Sequence, residues 1–394
     1  MAKARAVVQL SLSILAYFLI FPCMAQAMEE NSSPVLLSQY EGGKLYRIDK
    51  LLVVQLSGSY KEMGRQEGYL LKDQIHDYYN CSVVDYFIKD NNMSYERLAL
   101  DSMDRFNHYP KRFRDILSGI SETSGLSLLN LTILSRVPYI APGCSAVFAW
   151  REYSRDGHTV AGRNLDFYST MEDFINYTIV CIYNPTDGSH SVASVCRLTQ
   201  LEIHTGMNDQ GIFLEANDGS SSGGTTFFPN RITYLGSFLF DFSSLEQLDA
   251  AIHSAQIDWA TLLNVADERE ARSYEWATFD LKRAMPTRDG FLASTNHFVN
   301  PEWGLGPIAG DPYNTTLRRD NLLRLGERYR GEFDAEAMMN VLDTDIENGG
   351  PSGNFTRLQV VAIPRDKELW VKIPKYQNWT EVDLKEFFLS PGAI

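Results

Sequence analysis

Basic residues are scarce: 36 Lys and Arg stand against 50 Asp and Glu, a formal net charge of −14 over 394 residues. Nucleic-acid and acidic-lipid partners need basic surface, so this balance excludes them as the main task. Cysteine is scarce as well, at five residues. That excludes a disulfide-dense scaffold, which a chain of this length does not need in order to build a core. There is no HExxH and no CxxC, so no metal is expected. The Gly/Ser stretch NDGSSSGGTTFF (217–228) has no lysine in phosphate-loop spacing and reads as a plain loop, which leaves no cofactor implied. Beyond residue 27 no run reaches 18 uninterrupted apolar residues, so no stable membrane span is expected there.

What is present begins at the N-terminus. Lys3 and Arg5 precede an apolar stretch from Leu10 to Phe21, and Ala25-Gln26-Ala27 follows. A positive start, a short apolar core and a small-x-small site predict a signal peptide over 1–27, hence a secreted, periplasmic or lumenal protein. A retained anchor is the alternative, although the apolar stretch is short for a full span. Cys81, Cys144, Cys181 and Cys196 then remain; Cys181 and Cys196 lie in consecutive strand-like runs and either pair or stay buried thiols.

Residues 45–57 read as a strand and 58–79 as a helix, whose Gly58, Gly64 and Gly68 predict close packing against a neighbour. Residues 95–118 and 117–137 read as further helix, so the part before residue 144 is mostly helical. From Cys144 the pattern changes to short β-branched and aromatic runs separated by turns such as Asp156-Gly157 and Asp187-Gly188, as in an antiparallel meander. Helices near 243–255, 313–329 and 334–343 follow, with strands near 261–266, 272–280, 289–295, 357–364 and 368–374. Helices, a long antiparallel set, helices and closing strands give an α+β class.

One stretch carries chemistry. In APGCSAVFAW (141–150) a proline and a glycine precede Cys144, and GRNLDF (162–167) lies just beyond the next turn. With Asp156-Gly157 as the tip of a hairpin, Cys144 falls opposite residues 167–168, within reach of Arg163 and Asp166. Gly162 could allow a bulge that re-aims Arg163. A thiol of pKa about 8.5 needs a base or a cation to act as a nucleophile. No histidine sits in a Cys/His signature. Cutting the Gly143–Cys144 bond would supply a base, because a free α-amino group has a pKa of about 7.7–8.0. The plain alternative is that Cys144 is a small buried hydrophobe opening a strand.

A cysteine opening a strand, followed by GRNLDF, resembles the cysteine-type N-terminal nucleophile hydrolases, the group of choloylglycine hydrolases, penicillin V acylases and acid ceramidase-like amidases. The chain looks most similar to the isopenicillin N acyltransferase-like branch. GSYKEMGRQEGYLL (58–71) and LSGISETSGLS (117–127) resemble its early motifs; GMNDQGIFLEAND (206–218), FLASTNHF (291–298) and NTTLRRDNLLRL (314–325) resemble its later ones. The resemblance implies a four-layer αββα sandwich and self-cleavage between Gly143 and Cys144. That cleavage divides the chain into a 28–143 fragment and a catalytic 144–394 fragment, which stay together as one domain. It implies Cys144 as nucleophile, with Arg163 and Asp166 beside it, and Asn217 as oxyanion donor. Asn296 and a late arginine would position substrate and amino terminus. That arginine is Arg318 or Arg319, and Thr316 three positions earlier favours Arg319. The implied substrate is an N-acyl amide, hydrolysed or transferred. A non-catalytic binding protein on the same fold is the remaining alternative, and Asn208 is expected only to shape a turn.

Overall fold

The computed structural model describes residues 33–135, 143–167, 175–219, 223–224, 232–284, 289–304, 309–311 and 313–389. The signal peptide expected over 1–27 lies outside them. The strands, in chain order, begin with β1 (Val35–Tyr40), β2 (Gly43–Ile48) and β3 (Leu51–Gly58), then β4 (Gly143–Arg151) and β5 (Gly157–Asp166). Next come β6 (Thr178–Pro185), β7 (Val192–Arg197), β8 (Thr205–Asn208) and β9 (Phe213–Asp218). The rest are β10 (Thr261–Ala266), β11 (Ala271–Trp276), β12 (Leu281–Ala284), β13 (Phe291–Ser294), β14 (Thr356–Ile363), β15 (Glu368–Ile373) and β16 (Gln377–Asp383).

They form two sheets. The larger has the order β1-β2-β3-β6-β7-β8-β9-β10-β11-β12, and the smaller β13-β4-β5-β14-β15-β16. The expected single meander is therefore split. β4 and β5 leave for the small sheet, where β13 to β16 later join them, and β6 to β12 stay in the large one. All pairs are antiparallel except β3 with β6, which run parallel from Leu52 opposite Ile179 to Gly58 opposite Pro185. The segment before residue 143 is thus built into the same sheet as the segment after it.

Helices cover both outer faces. α1 (Tyr60–Leu70) starts in a complete capping box, Ser59 with Glu62, and is followed by α2 (Lys72–Tyr79) and α3 (Tyr95–His108). Pro110 breaks the helix expected over 95–118, and α4 (Lys111–Ser124) restarts beyond it, followed by α5 (Leu128–Leu134). α1 lies on the large sheet and packs closely on α4. A Cβ at Gly64 would sit 2.1 Å from the Ile116 carbonyl oxygen, and one at Gly119 2.2 Å from that of Lys61. Only glycine allows this backbone approach, as the glycine spacing predicted. α6 (Leu245–Ser254) follows β9 in the chain; α7 (Thr315–Arg328) and α8 (Ala335–Asp343) pack on the small sheet.

β4 shows why its sequence runs apolar without alternation. Cys144, Ala146, Phe148 and Trp150 enter the core between the two sheets, whereas Val147 and Ala149 join Leu322 and Met338 in the core beneath α7 and α8. A strand covered on both faces has no polar side to show. The result is the αββα layering of an α+β fold.

Two local expectations are corrected. The β4–β5 tip is not Asp156-Gly157: Arg151 already pairs with Gly157, and the loop between them is anchored by Arg155 N–H donating to the Phe333 carbonyl. Cys144 therefore stands opposite Leu165, and Gly143 opposite Asp166. Nor does Gly162 form a bulge with β4, since pairing is regular from Gly143 to Ala149. Its missing side chain makes room for Met338, whose Sδ would lie 2.6 Å from a Cβ there. Cys181 faces Ser194 and Cys196 faces Ile179, an offset that leaves both as buried free thiols.

Candidate functional site

Cys144 is the second residue of β4 and is 1% exposed. Its main-chain N–H donates to Asn296 Oδ1 at 2.7 Å, and its carbonyl oxygen accepts from Arg318 Nη1 at 2.6 Å. On the side-chain face, Arg163 Nη2 points at Sγ from 3.5 Å. Burial pushes the thiol up to about 11; the Arg163 charge opposes that, and the Asp166 and Glu215 carboxyls add to it. A thiol raised that far favours its protonated form at neutral pH. Among the described residues no histidine hydrogen-bonds to it.

Arg163, on β5, reaches across to the large sheet. Nη1 donates to the His204 carbonyl and to Thr205 Oγ1, Nη2 donates to the Ala216 carbonyl at 3.0 Å, and Nε lies 3.7 Å from Glu215 Oε2. These acceptors fix the guanidinium beside the sulfur. Burial pushes Glu215 up to about 7, although Arg163 and Asn264 both favour its charged form.

Asp166 lies on the opposite face of β5, beside Gly143. Its Oδ1 accepts from Thr356 Oγ1 at 2.8 Å. Its Oδ2 has no hydrogen bond and lies 3.4 Å from Arg318 Nη1. A Cβ on Gly143 would come within 3.3 Å of that same Oδ2. Burial raises the pKa of the carboxyl; Arg318, Thr356, Arg163 and Arg357 pull it back down.

Asn296, just past β13, is held by its own N–H donating to Thr315 Oγ1 at 2.8 Å and by Nδ2 donating to the Asp218 carbonyl at 3.0 Å. Its Oδ1 collects the Cys144 N–H and Arg318 Nη2, the latter at 2.9 Å. Asn217 is on β9, 1% exposed, and among the described residues neither its Oδ1 nor its Nδ2 has a hydrogen-bond partner. A buried amide left unsatisfied is costly. Asn208 does shape a turn: its Oδ1 accepts from the N–H groups of Gln210 and Ile212.

The expectation for Arg319 is corrected. Arg318 is the arginine that reaches Cys144, Ser145, Asn296 and Asp166, while Arg319 is half-buried with Glu275 and Asp320 as charged neighbours. The reason is helical phase. Thr315, Arg318, Leu322 and Leu325 form the buried stripe of α7, and one further residue turns the side chain by about 100°. Thr315 is itself a hydroxyl three positions before Arg318, so that spacing, followed along the apolar stripe, was the available signal. Ser145, Thr356 and Glu215 carried no local signal. They reach the site through strand pairing.

No family model matches the chain. It is similar to two curated proteins of Dictyostelium discoideum. Protein dcd1B is 25% identical over 233 residues, 50% of this chain and 46% of that protein. Protein dcd1A is 29% identical over 197 residues, 42% of this chain and 45% of that protein. The chain spans about half the length of the curated relatives it matches. Similar solved structures include the C2A mutant of the conjugated bile acid hydrolase from Clostridium perfringens, with TM-score 0.45 and 13% identity over 61% of this chain and 93% of that one. The Caenorhabditis elegans ortholog of N-acylethanolamine-hydrolyzing acid amidase gives TM-score 0.42 and 20% identity over 56% and 93%. Penicillin V acylase from Agrobacterium tumefaciens gives 0.43 and 12% over 61% and 86%.

Proposed function

We propose that the chain is an exported precursor that cuts itself between Gly143 and Cys144 and then hydrolyses the amide bond of an N-acyl compound through the Cys144 thiol. The observation that carries this reading is the surroundings of one nitrogen. The Cys144 main-chain N already donates to Asn296 Oδ1, and a buried carboxylate oxygen of Asp166, paired in charge with Arg318 but accepting no hydrogen bond, lies at Gly143. A backbone amide has one proton and needs one acceptor. A free amino group carries two or three, and a second acceptor stands open.

In the first step Sγ attacks the Gly143 carbonyl carbon and the C–N bond breaks. The acyl group is then a thioester on sulfur, and Cys144 keeps the amine. Water hydrolyses the thioester, releasing the Gly143 carboxylate and the free thiol. A thiol pushed up to about 11 makes a poor nucleophile at neutral pH; the new amine is the base it lacks. In turnover the amine takes the thiol proton as Sγ attacks the substrate carbonyl, then passes it to the departing amine. Arg163 steadies the developing thiolate. Asn217 is the oxyanion donor, and its unsatisfied Nδ2 supports that role, typically about 3 kcal/mol per donor. Arg318 and Asn296 hold Cys144 in place. Water accepts the acyl group; transfer to another amine needs an activated donor, which is scarce outside the cell. The 28–143 fragment remains bound as a partner, a reading supported by the β3–β6 pairing.

The test is a denaturing gel with N-terminal sequencing and a panel of N-acyl amides from short aromatic to long aliphatic. Wild type should give two bands, one beginning Cys-Ser-Ala-Val, and release amine from at least one substrate. Cys144→Ala should give one band and no turnover. An uncut, inactive wild type would favour the non-catalytic binding alternative.

A further inference from the structure

The geometry points to Thr356 as a positioning residue that commits one oxygen of Asp166 and reserves the other for the amino group of a cleaved Cys144; this rests on the function proposed above.

Thr356 opens β14 directly opposite Asp166, and the register shifts between Thr356 and Leu358, where the partner strand advances only from Asp166 to Leu165. In a regular strand Thr356 and Leu358 would share a face. The extra residue, Arg357, breaks that alternation and turns Thr356 toward Asp166, away from the face that Leu358 shares with Leu165. Thr356 is 4% exposed, so water does not compete for its hydroxyl.

The proton on that hydroxyl has one destination. Gly353 N–H donates to Thr356 Oγ1 at 3.1 Å, and an N–H can only donate. The hydroxyl hydrogen therefore goes to Asp166 Oδ1, 2.8 Å away. The loop is itself braced, with Thr356 N–H donating to the Gly353 carbonyl and Phe167 N–H to that of Phe355. Oδ1 is thus spoken for. Oδ2 is left without a hydrogen bond at Gly143, since Arg318 Nη1 beside it donates to the Cys144 carbonyl and Ser145 Oγ.

Among the described residues, Arg318 from α7 lies against Asp166, and Arg357 from β14, Arg163 on its own strand and Cys144 from β4 act on it through charge. Against that fixed background the Thr356 hydroxyl favours the carboxylate form. Removing it should raise the pH at which Asp166 loses its proton, and with it the acidic limb of activity.

The experiment compares full-length wild type, Thr356→Val and Thr356→Ser. The Asp166 carboxyl is titrated by 13C NMR on aspartate-labelled protein, assigned with Asp166→Asn, and kcat and KM are measured across pH. Thr356→Val should move the carboxyl titration and the acidic limb of kcat upward together by about one pH unit. It should lower kcat about tenfold with KM little changed, and Thr356→Ser should restore both. A folded Thr356→Val with titration and limb at their wild-type positions overturns the inference while leaving self-cleavage intact. So does a shift that serine fails to rescue, which would mark a packing effect. An uncut, inactive wild type removes the proposed function and this inference together, whatever the titration shows. If Thr356→Val does not fold, Thr356→Ala takes its place.

Discussion

Two adjacent arginines separate the parts of the site. Arg318 donates to the Cys144 carbonyl, Ser145, Asn296 and the Tyr313 carbonyl from a fully buried position, and its planar fork serves these four acceptors at once. Lysine keeps the charge but cannot reproduce that fork. Arg318→Lys should lower kcat/KM about 100-fold, on the order of one lost transition-state donor, whereas Arg319→Lys should stay within about threefold of wild type. Parallel kinetics on the two variants check this. Equal losses would mean that the late arginine acts through overall charge and not through its contacts with Cys144.

At the scale of elements, the α1–α4 contact is the least tolerant packing in the helical layer on the large sheet. Gly64 and Gly119 each lie against the other helix's backbone, and a backbone carbonyl cannot swing aside as a side-chain tip can. Gly119→Ala should cost about 1–3 kcal/mol, the range for overpacking a tight interior, and lower the thermal midpoint by several degrees. Lys111→Ala, on an exposed turn of the same helix, should leave the midpoint nearly unchanged. A thermal melt of both variants decides it. The β4–β5 hairpin makes a second point about elements. Its loop is set by contacts with Phe333, so the register that puts Asp166 beside Gly143 depends on a residue far along the chain.

For the whole molecule, two fully buried carboxyls make stability depend on pH. Glu67 on α1 and Glu215 on β9 are each pushed by burial from 4.5 up to about 7. Between those values the folded chain holds protons that the unfolded chain has released, so stability falls as pH rises through this window and is fully present below it. Exposed acids such as Glu62, held below their ordinary value, lose their contribution only under more acid conditions. The thermal midpoint should therefore be higher at pH 5 than at pH 7.5, and Glu67→Gln should flatten the difference. A midpoint that rises from pH 5 to 7.5 would contradict the assignment. Gln retains an acceptor for the Thr199 N–H that Glu67 now binds, so the variant isolates the charge.

The sequence by itself determined what depends on near neighbours. The unbroken apolar run of β4, the glycine spacing of α1, the ordered motifs and the α+β class are all local patterns, and Cys144, Arg163 and Asp166 are separated by a single hairpin. Tertiary structure alone decided the rest. Thr356 meets Asp166 across 190 residues, and the assignment of β4 and β5 to one sheet and β6 to the other is set by which strands pair. The apolar stripe of α7 already pointed to Arg318 over Arg319, but what that stripe is buried against was set by the small sheet. Periodicity tells each segment which side to bury. It cannot say what that side will be buried against, because that is fixed only when distant segments exclude water together.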